Sequence, residues 1–138
     1  MKRRIGVLAG AVAFALGVPS SVRAVAINGV VKNVPYVIAF RPLHSQKEPY
    51  VGQMHLNFTN GIIQGTYTDI SIRPGGPFAN AHNISVTGGV SPSHVTLIIR
   101  QVTFRGTASG ERMSGSATIN GAMYTWEAHQ GSPGSGAR

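Results

Sequence analysis

The sequence predicts an all-β fold, a small antiparallel meander of about eight strands closed or nearly closed into a barrel. Three observations carry that expectation. From Ile27 onward apolar residues recur with period two, and no stretch holds helical spacing for the roughly 11 residues a helix requires. Asn60-Gly61 and Asn120-Gly121 each stand between alternating runs and offer the two positive-φ residues of a type I′ hairpin turn. The chain has no cysteine, so no disulfide can hold a small sheet together, and closure removes its exposed edges. A two-sheet β-sandwich is the alternative.

Residues 1–26 read as a signal peptide that is cleaved. Lys2, Arg3 and Arg4 form a basic start, residues 5–18 an apolar run, and Ala24 and Ala26 sit at small-residue cleavage positions. The run is shorter than the about 20 residues of a spanning helix, which predicts a periplasmic or secreted protein without a membrane span. Residues 27–130 are then a single β-barrel domain, and residues 131–138, GSPGSGAR, a flexible tail.

Within the domain the first strand covers about residues 36–40, with Tyr36, Ile38 and Phe40 on one face, and a polar loop follows over 41–49. Met54, Leu56 and Phe58 alternate with His55, Asn57 and Thr59 up to the first Asn-Gly turn. The partner strand, 62–68, places Ile63, Gly65 and Tyr67 on one face, and Ile70 and Ile72 extend its alternation until Pro74-Gly75-Gly76-Pro77 opens a loop to about His82. Ile84 and Val86 begin a strand that Gly88-Gly89 stops. Val95, Leu97 and Ile99 form the next, and Val102 and Phe104 continue the pattern into Gly106. The clearest hairpin is last: Met113, Gly115, Ala117 and Ile119, then the second Asn-Gly turn, then Ala122, Tyr124, Trp126 and Ala128. Gly65, Gly106 and Gly115 suit the sharp bends of a small barrel.

The formal charge of +8 is inflated by the N-terminal segment. Cleavage after Ala26 leaves 112 of the 138 residues, with eight basic side chains against Glu48, Asp69, Glu111 and Glu127, a net +4. The basic residues are scattered, unlike a nucleic-acid footprint, so no nucleic acid is expected. Modest positive charge favours anionic surfaces.

Catalytic and metal chemistry find little support. His44, His55, His82, His94 and His129 show no local ligand spacing, and only a convergence of His44, His82 and His94 from separate loops would make a metal site. Paired acids for glycoside hydrolysis would need two of the four carboxylates about 5 to 10 Å apart. No G-x-S-x-G or S-x-x-K nominates a nucleophile. The glycine pairs precede no helix and cradle no phosphate. No cofactor and no metal is expected, and an enzyme is the third reading, which requires acids or histidines to converge in a cleft.

In its hairpin rhythm and its strand-borne Gly, Tyr and Trp the chain resembles small exported ligand-binding barrels of the calycin and avidin kind. It has no lipocalin G-x-W near its start and no biotin-site pattern, so no family residue is carried over. The resemblance implies a binding protein that holds a small apolar or amphipathic ligand inside the barrel. Tyr36, Tyr67, Tyr124 and Trp126 would line it, and Arg73, Arg100 or Arg105 would meet an acidic headgroup at the mouth. The competing expectation is a filled barrel, an enzyme inhibitor or envelope-associated module, that binds a macromolecular partner through segments 41–49 and 74–82. Arg41, Lys47 and Arg73 would anchor that contact, with Phe78 in the contact loop. A packed interior with an exposed apolar loop patch would favour the second.

Overall fold

A computed structural model describes residues 28–132, so the predicted signal peptide and all but the first two residues of the predicted tail lie outside the described residues. Eight antiparallel strands follow one another around a closed barrel: β1 (Val30–Pro42), β2 (Tyr50–Thr59), β3 (Ile62–Asp69), β4 (Ile84–Val90), β5 (Val95–Ile99), β6 (Val102–Ser109), β7 (Arg112–Ile119) and β8 (Ala122–Gln130). Each strand pairs with its successor, and β1 closes on β8 from Tyr36↔Gln130 to Pro42↔Tyr124. Among the described residues no helix is long and apolar enough to cross a membrane.

Period two turns alternate side chains inward, where Ile38, Met54, Leu56, Ile63, Val86, Leu97, Ile99 and Phe104 are fully buried. The outward set is mostly polar: His55, Asn57, Gln64, Thr87, Arg105 and Ser116 are exposed, with the apolar Val30, Ile62, Ile98 and Met123 toward the strand ends. A barrel spanning a bilayer carries the reverse pattern, an apolar band outside.

The turns explain the register. Asn60-Gly61 and Asn120-Gly121 both have positive φ at each residue, as a type I′ turn requires. Arg100-Gln101 turns the β5–β6 hairpin with φ of 48° and 72°, a left-handed pair built without glycine or asparagine. A bulge at Asn33 (φ 57°) shifts the β1–β2 register, and the freed Asn33 N–H donates to Asn57 Oδ1 at 2.7 Å.

Four strand boundaries depart from the sequence reading. β1 begins at Val30 rather than near Tyr36, because the bulge lets its alternation resume on either side of Asn33. The loop after it starts at Leu43, since Arg41 and Pro42 still pair with Thr125 and Tyr124. β4 runs through Gly88-Gly89 to Val90, where Gly88 gives up a side chain because the Thr96 carbonyl fills its Cβ position. β3 stops at Asp69, so Ile70 and Ile72 lie in the following loop.

One corner of the wall is drawn especially tight. Gly106 and Gly115 are register partners, and a Cβ on either would lie 1.8 Å from a carbonyl oxygen of the facing strand. Only glycine permits that approach. The next residue in the same row is Trp126, which is buried, and its Nε1–H donates to the Arg105 carbonyl at 3.1 Å and the Ser116 carbonyl at 3.2 Å. The indole thus satisfies its polar atom on the two strands that bend.

Candidate functional site

Antiparallel order sorts the connections to two ends. Segments 43–49 and 70–83 and the turns 100–101 and 120–121 lie at one end; 60–61, 91–94 and 110–111 lie at the other. All residues in long connections therefore gather at a single end, here called the loop end.

Segment 70–83 is pinned at its base. The Asp69 carboxylate accepts from the Ser71 N–H (3.2 Å) and the Asn80 N–H (3.3 Å), the Asp69 N–H donates to the Ala81 carbonyl (2.9 Å), and the Asn83 N–H donates to Thr68 Oγ1 (3.0 Å). Those bonds turn the backbone out of the ladder and end β3 despite the alternating isoleucines. They also direct Phe78 inward, where it is 2% exposed.

Phe78 closes the barrel with an aromatic cluster. Its ring centroid lies 5.3 Å from Tyr67, 5.7 Å from Phe40 and 6.2 Å from Phe104. Phe104 continues the chain of contacts to Trp126 at 5.9 Å, and Phe40 reaches Tyr50 at 5.6 Å and Tyr124 at 6.1 Å. Edge-to-face and tilted pairs of this spacing are mutually attractive. Rings from β1, β3, β6 and β8 and from the loop therefore meet in the lumen.

Tyr67 is the member of this cluster that brings a polar atom into it. Its hydroxyl is buried with no hydrogen-bond partner, and its phenol is pushed well above the ordinary range, first by burial and then by Asp69. Tyr36 is raised similarly, by burial and then by Glu111, which sits in the 110–111 turn at the opposite end. Tyr124, half-buried, is raised by burial and by Tyr50, with Arg73 acting against them.

Above the cluster the surface changes character. Arg73 stacks its guanidinium over the Tyr50 ring at 4.4 Å and donates from Nη1 to the Glu48 carbonyl at 3.2 Å, joining the two long segments. Arg41 Nη1 donates to the Lys47 carbonyl at 3.5 Å. Among the described residues seven large apolar side chains are exposed, and five stand at the loop end, Leu43, Ile70, Ile72, Ile98 and Met123, while Val30 and Ile62 stand at the other. Ile72 is 88% exposed. The Leu43 N–H donates to the Met123 carbonyl at 2.9 Å, which places those two side by side.

Charge follows the same division. Among the described residues the loop end carries Arg41, Lys47, Arg73 and Arg100 against Glu48 and Asp69. Toward the opposite end Lys32 and Arg112 balance Glu111 and Glu127, and Arg112 is paired with Glu127.

The structure distributes the predicted ligand-lining set along the barrel. Tyr67 and Trp126 are buried among Phe40, Phe78 and Phe104, Tyr36 is buried toward the other end, and Tyr124 lies at the rim. Arg73 and Arg100 do reach the mouth, whereas Arg105 stands on the outer wall midway along β6. Phe78 is turned away from any partner. Its ring completes the core, and Arg41 and Lys47 are the exposed members of the predicted contact set. His94 lies at the end opposite His44 and His82, so those three do not converge, and among the described residues no group of three His, Cys, Asp or Glu could hold a metal ion. The recesses on the outside of the wall include one of about 370 Å³ beside Arg41, Ser114, Thr125 and Glu127 and one of about 290 Å³ beside Thr103, Arg105, Ser116 and Met123.

Fold and site together define a class, a closed β-barrel with an aromatic core whose distinctive surface is one end that carries cations and exposed aliphatic side chains. No protein-family model matches the chain, and neither a curated protein nor a solved structure does.

Proposed function

We propose that this chain is an exported interaction protein that binds a macromolecular partner through the loop end, the barrel serving as its rigid support. The observation that carries this reading is the pairing of a lumen filled by Phe40, Phe78 and Phe104 with exposed Leu43, Ile70, Ile72 and Met123 at the same end. Water-exposed aliphatic side chains gathered at one end, among cations, mark an interaction surface. The lining residues of a carrier would face a cavity; here Tyr67 packs on Phe78, Trp126 on Phe104 and Tyr124 on Phe40.

The test is site-specific photocrosslinking in the native envelope, with the reactive group at position 72 or, as the comparison, at position 62. Adducts from position 72 and none from position 62 are the expected result. Equal labelling at both positions, or no adduct to protein or lipid at either, would defeat the loop-end reading. Native mass spectrometry of the gently purified protein addresses the carrier reading directly: a small added mass lost on denaturation would restore it and displace the interaction reading.

A further inference from the structure

We infer that the partner of the loop end is an anionic lipid surface, onto which the barrel docks upright with its wall in water; the inference rests on the interaction reading above. The exposed apolar residues are distributed around the rim rather than gathered in one groove. Met123 and Leu43 stand at the β8–β1 side, Ile70 and Ile72 in the loop beyond β3, and Ile98 at the end of β5. A folded protein partner would need a separate complementary pocket for each, whereas a fluid headgroup layer accepts separated tips at a common depth.

The cations are interleaved with those tips. Arg41 near the end of β1, Lys47 and Arg73 in the two long segments and Arg100 in the β5–β6 turn stand at the same end and outnumber Glu48 and Asp69 there, and their long side chains can hold charge at headgroup level while the aliphatic tips enter the acyl boundary. The outer wall below, with His55, Gln64, Thr87 and Ser116 exposed, forbids deeper entry. Shallow, reversible binding that depends on anionic lipid follows.

The absence of cysteine makes the test clean. Protein purified after export, its N-terminus established by mass spectrometry, is made as Ile72→Cys and as Ile62→Cys, each carrying an environment-sensitive dye. Both positions are exposed, so neither label disturbs the core. Vesicles of phosphatidylglycerol mixed with phosphatidylcholine should shift the emission of the dye at 72 to the blue and leave the dye at 62 unchanged. Phosphatidylcholine vesicles alone should shift neither. High salt should weaken the binding at least tenfold, and Lys47→Gln with Arg73→Gln should weaken it by about fivefold for each cation removed.

No shift at 72, an equal shift with neutral vesicles, or an equal shift at 62 would each overturn the lipid assignment. The crosslinking experiment then separates the two readings. A protein adduct from position 72 without vesicle binding removes the bilayer and keeps the loop-end reading; no adduct and no vesicle binding removes both.

Discussion

The two ends of this barrel are built from the same eight strands, yet one end is finished by tight turns and the other by two long segments and a plug. At the plain end turns such as 60–61 and 110–111 close their hairpins with the fewest residues possible, and Lys32 and Arg112 balance Glu111 and Glu127. At the loop end Phe78 enters the core while Ile72, six residues earlier in the same segment, is 88% exposed. One segment therefore serves both the packing of the barrel and the surface it presents. The lesson is that a loop can be rigidly held at its aromatic anchor and still offer its apolar tip to water.

The comparison breaks completely if the wall common to both ends is broken. Gly115→Val puts a side chain where the Arg105 carbonyl already sits, so the variant should show no cooperative unfolding transition by circular dichroism. Phe78→Ala should cost about 3–5 kcal/mol in chemical denaturation, whereas exposed Lys47→Ala in the neighbouring segment should change stability by no more than about 0.5 kcal/mol. Equal effects would mean that Phe78 does not close the core.

Alkaline titration sharpens the contrast. An unfolded tyrosine loses its proton near about pH 10, while buried Tyr36 and Tyr67 keep theirs to higher pH in the folded barrel. Their contribution to stability is therefore complete below about pH 10 and is lost as pH rises through the raised folded values. The Tm should fall above that point, and Tyr36→Phe and Tyr67→Phe should each remove part of the fall. A Tm independent of pH in that range would contradict the burial of both phenols.

Two hairpins at the loop end make the next test. Gly121 has φ of 82° with nothing within 4 Å of an added Cβ, so Gly121→Val should cost about 1 kcal/mol or more through backbone conformation alone. Gln101, at φ 72°, occupies the equivalent place without glycine, and Gln101→Gly should raise stability by up to about 1 kcal/mol. The smallest effect is at neutral pH: Tyr67→Phe removes a buried hydroxyl that has no partner and should leave the denaturation midpoint unchanged or higher. A loss above about 1 kcal/mol would show that the hydroxyl is bonded in solution.

Much of the architecture was legible in the sequence because local chemistry and global topology agree there. Asn60-Gly61 and Asn120-Gly121 are asked for by the turns they make, and the inward sets of β2, β7 and β8 follow from simple alternation. Arg100-Gln101 was not legible as a turn, since neither residue favours positive φ and only the pairing of Ile99 with Val102 imposes it. Ile70 and Ile72 carry the alternation of a strand, but the Asp69 carboxylate captures Ser71 and Asn80 amides and stops the ladder first. The site was less legible than the fold. Phe78 stands in a stretch rich in proline and glycine, where nothing local separates a ring that dips into a barrel from one that faces water. Arg73 was named from its charge, while its place over Tyr50 depends on two segments meeting in space.

One consequence of the closing β1–β8 pair reaches beyond binding. The Gly131 N–H donates to the Pro35 carbonyl at 2.9 Å, and Tyr36 faces Gln130 across the seam, so the chain leaves the barrel at the plain end against β1, which it entered a few residues earlier at Val30. The strands thus form a ring with no privileged first member. A gene rearranged to join Gly131 to Val30 by a linker that spans the start of β1, and to open the chain between Arg100 and Gln101, would retain all eight pairings, and its new ends would emerge beside the basic rim.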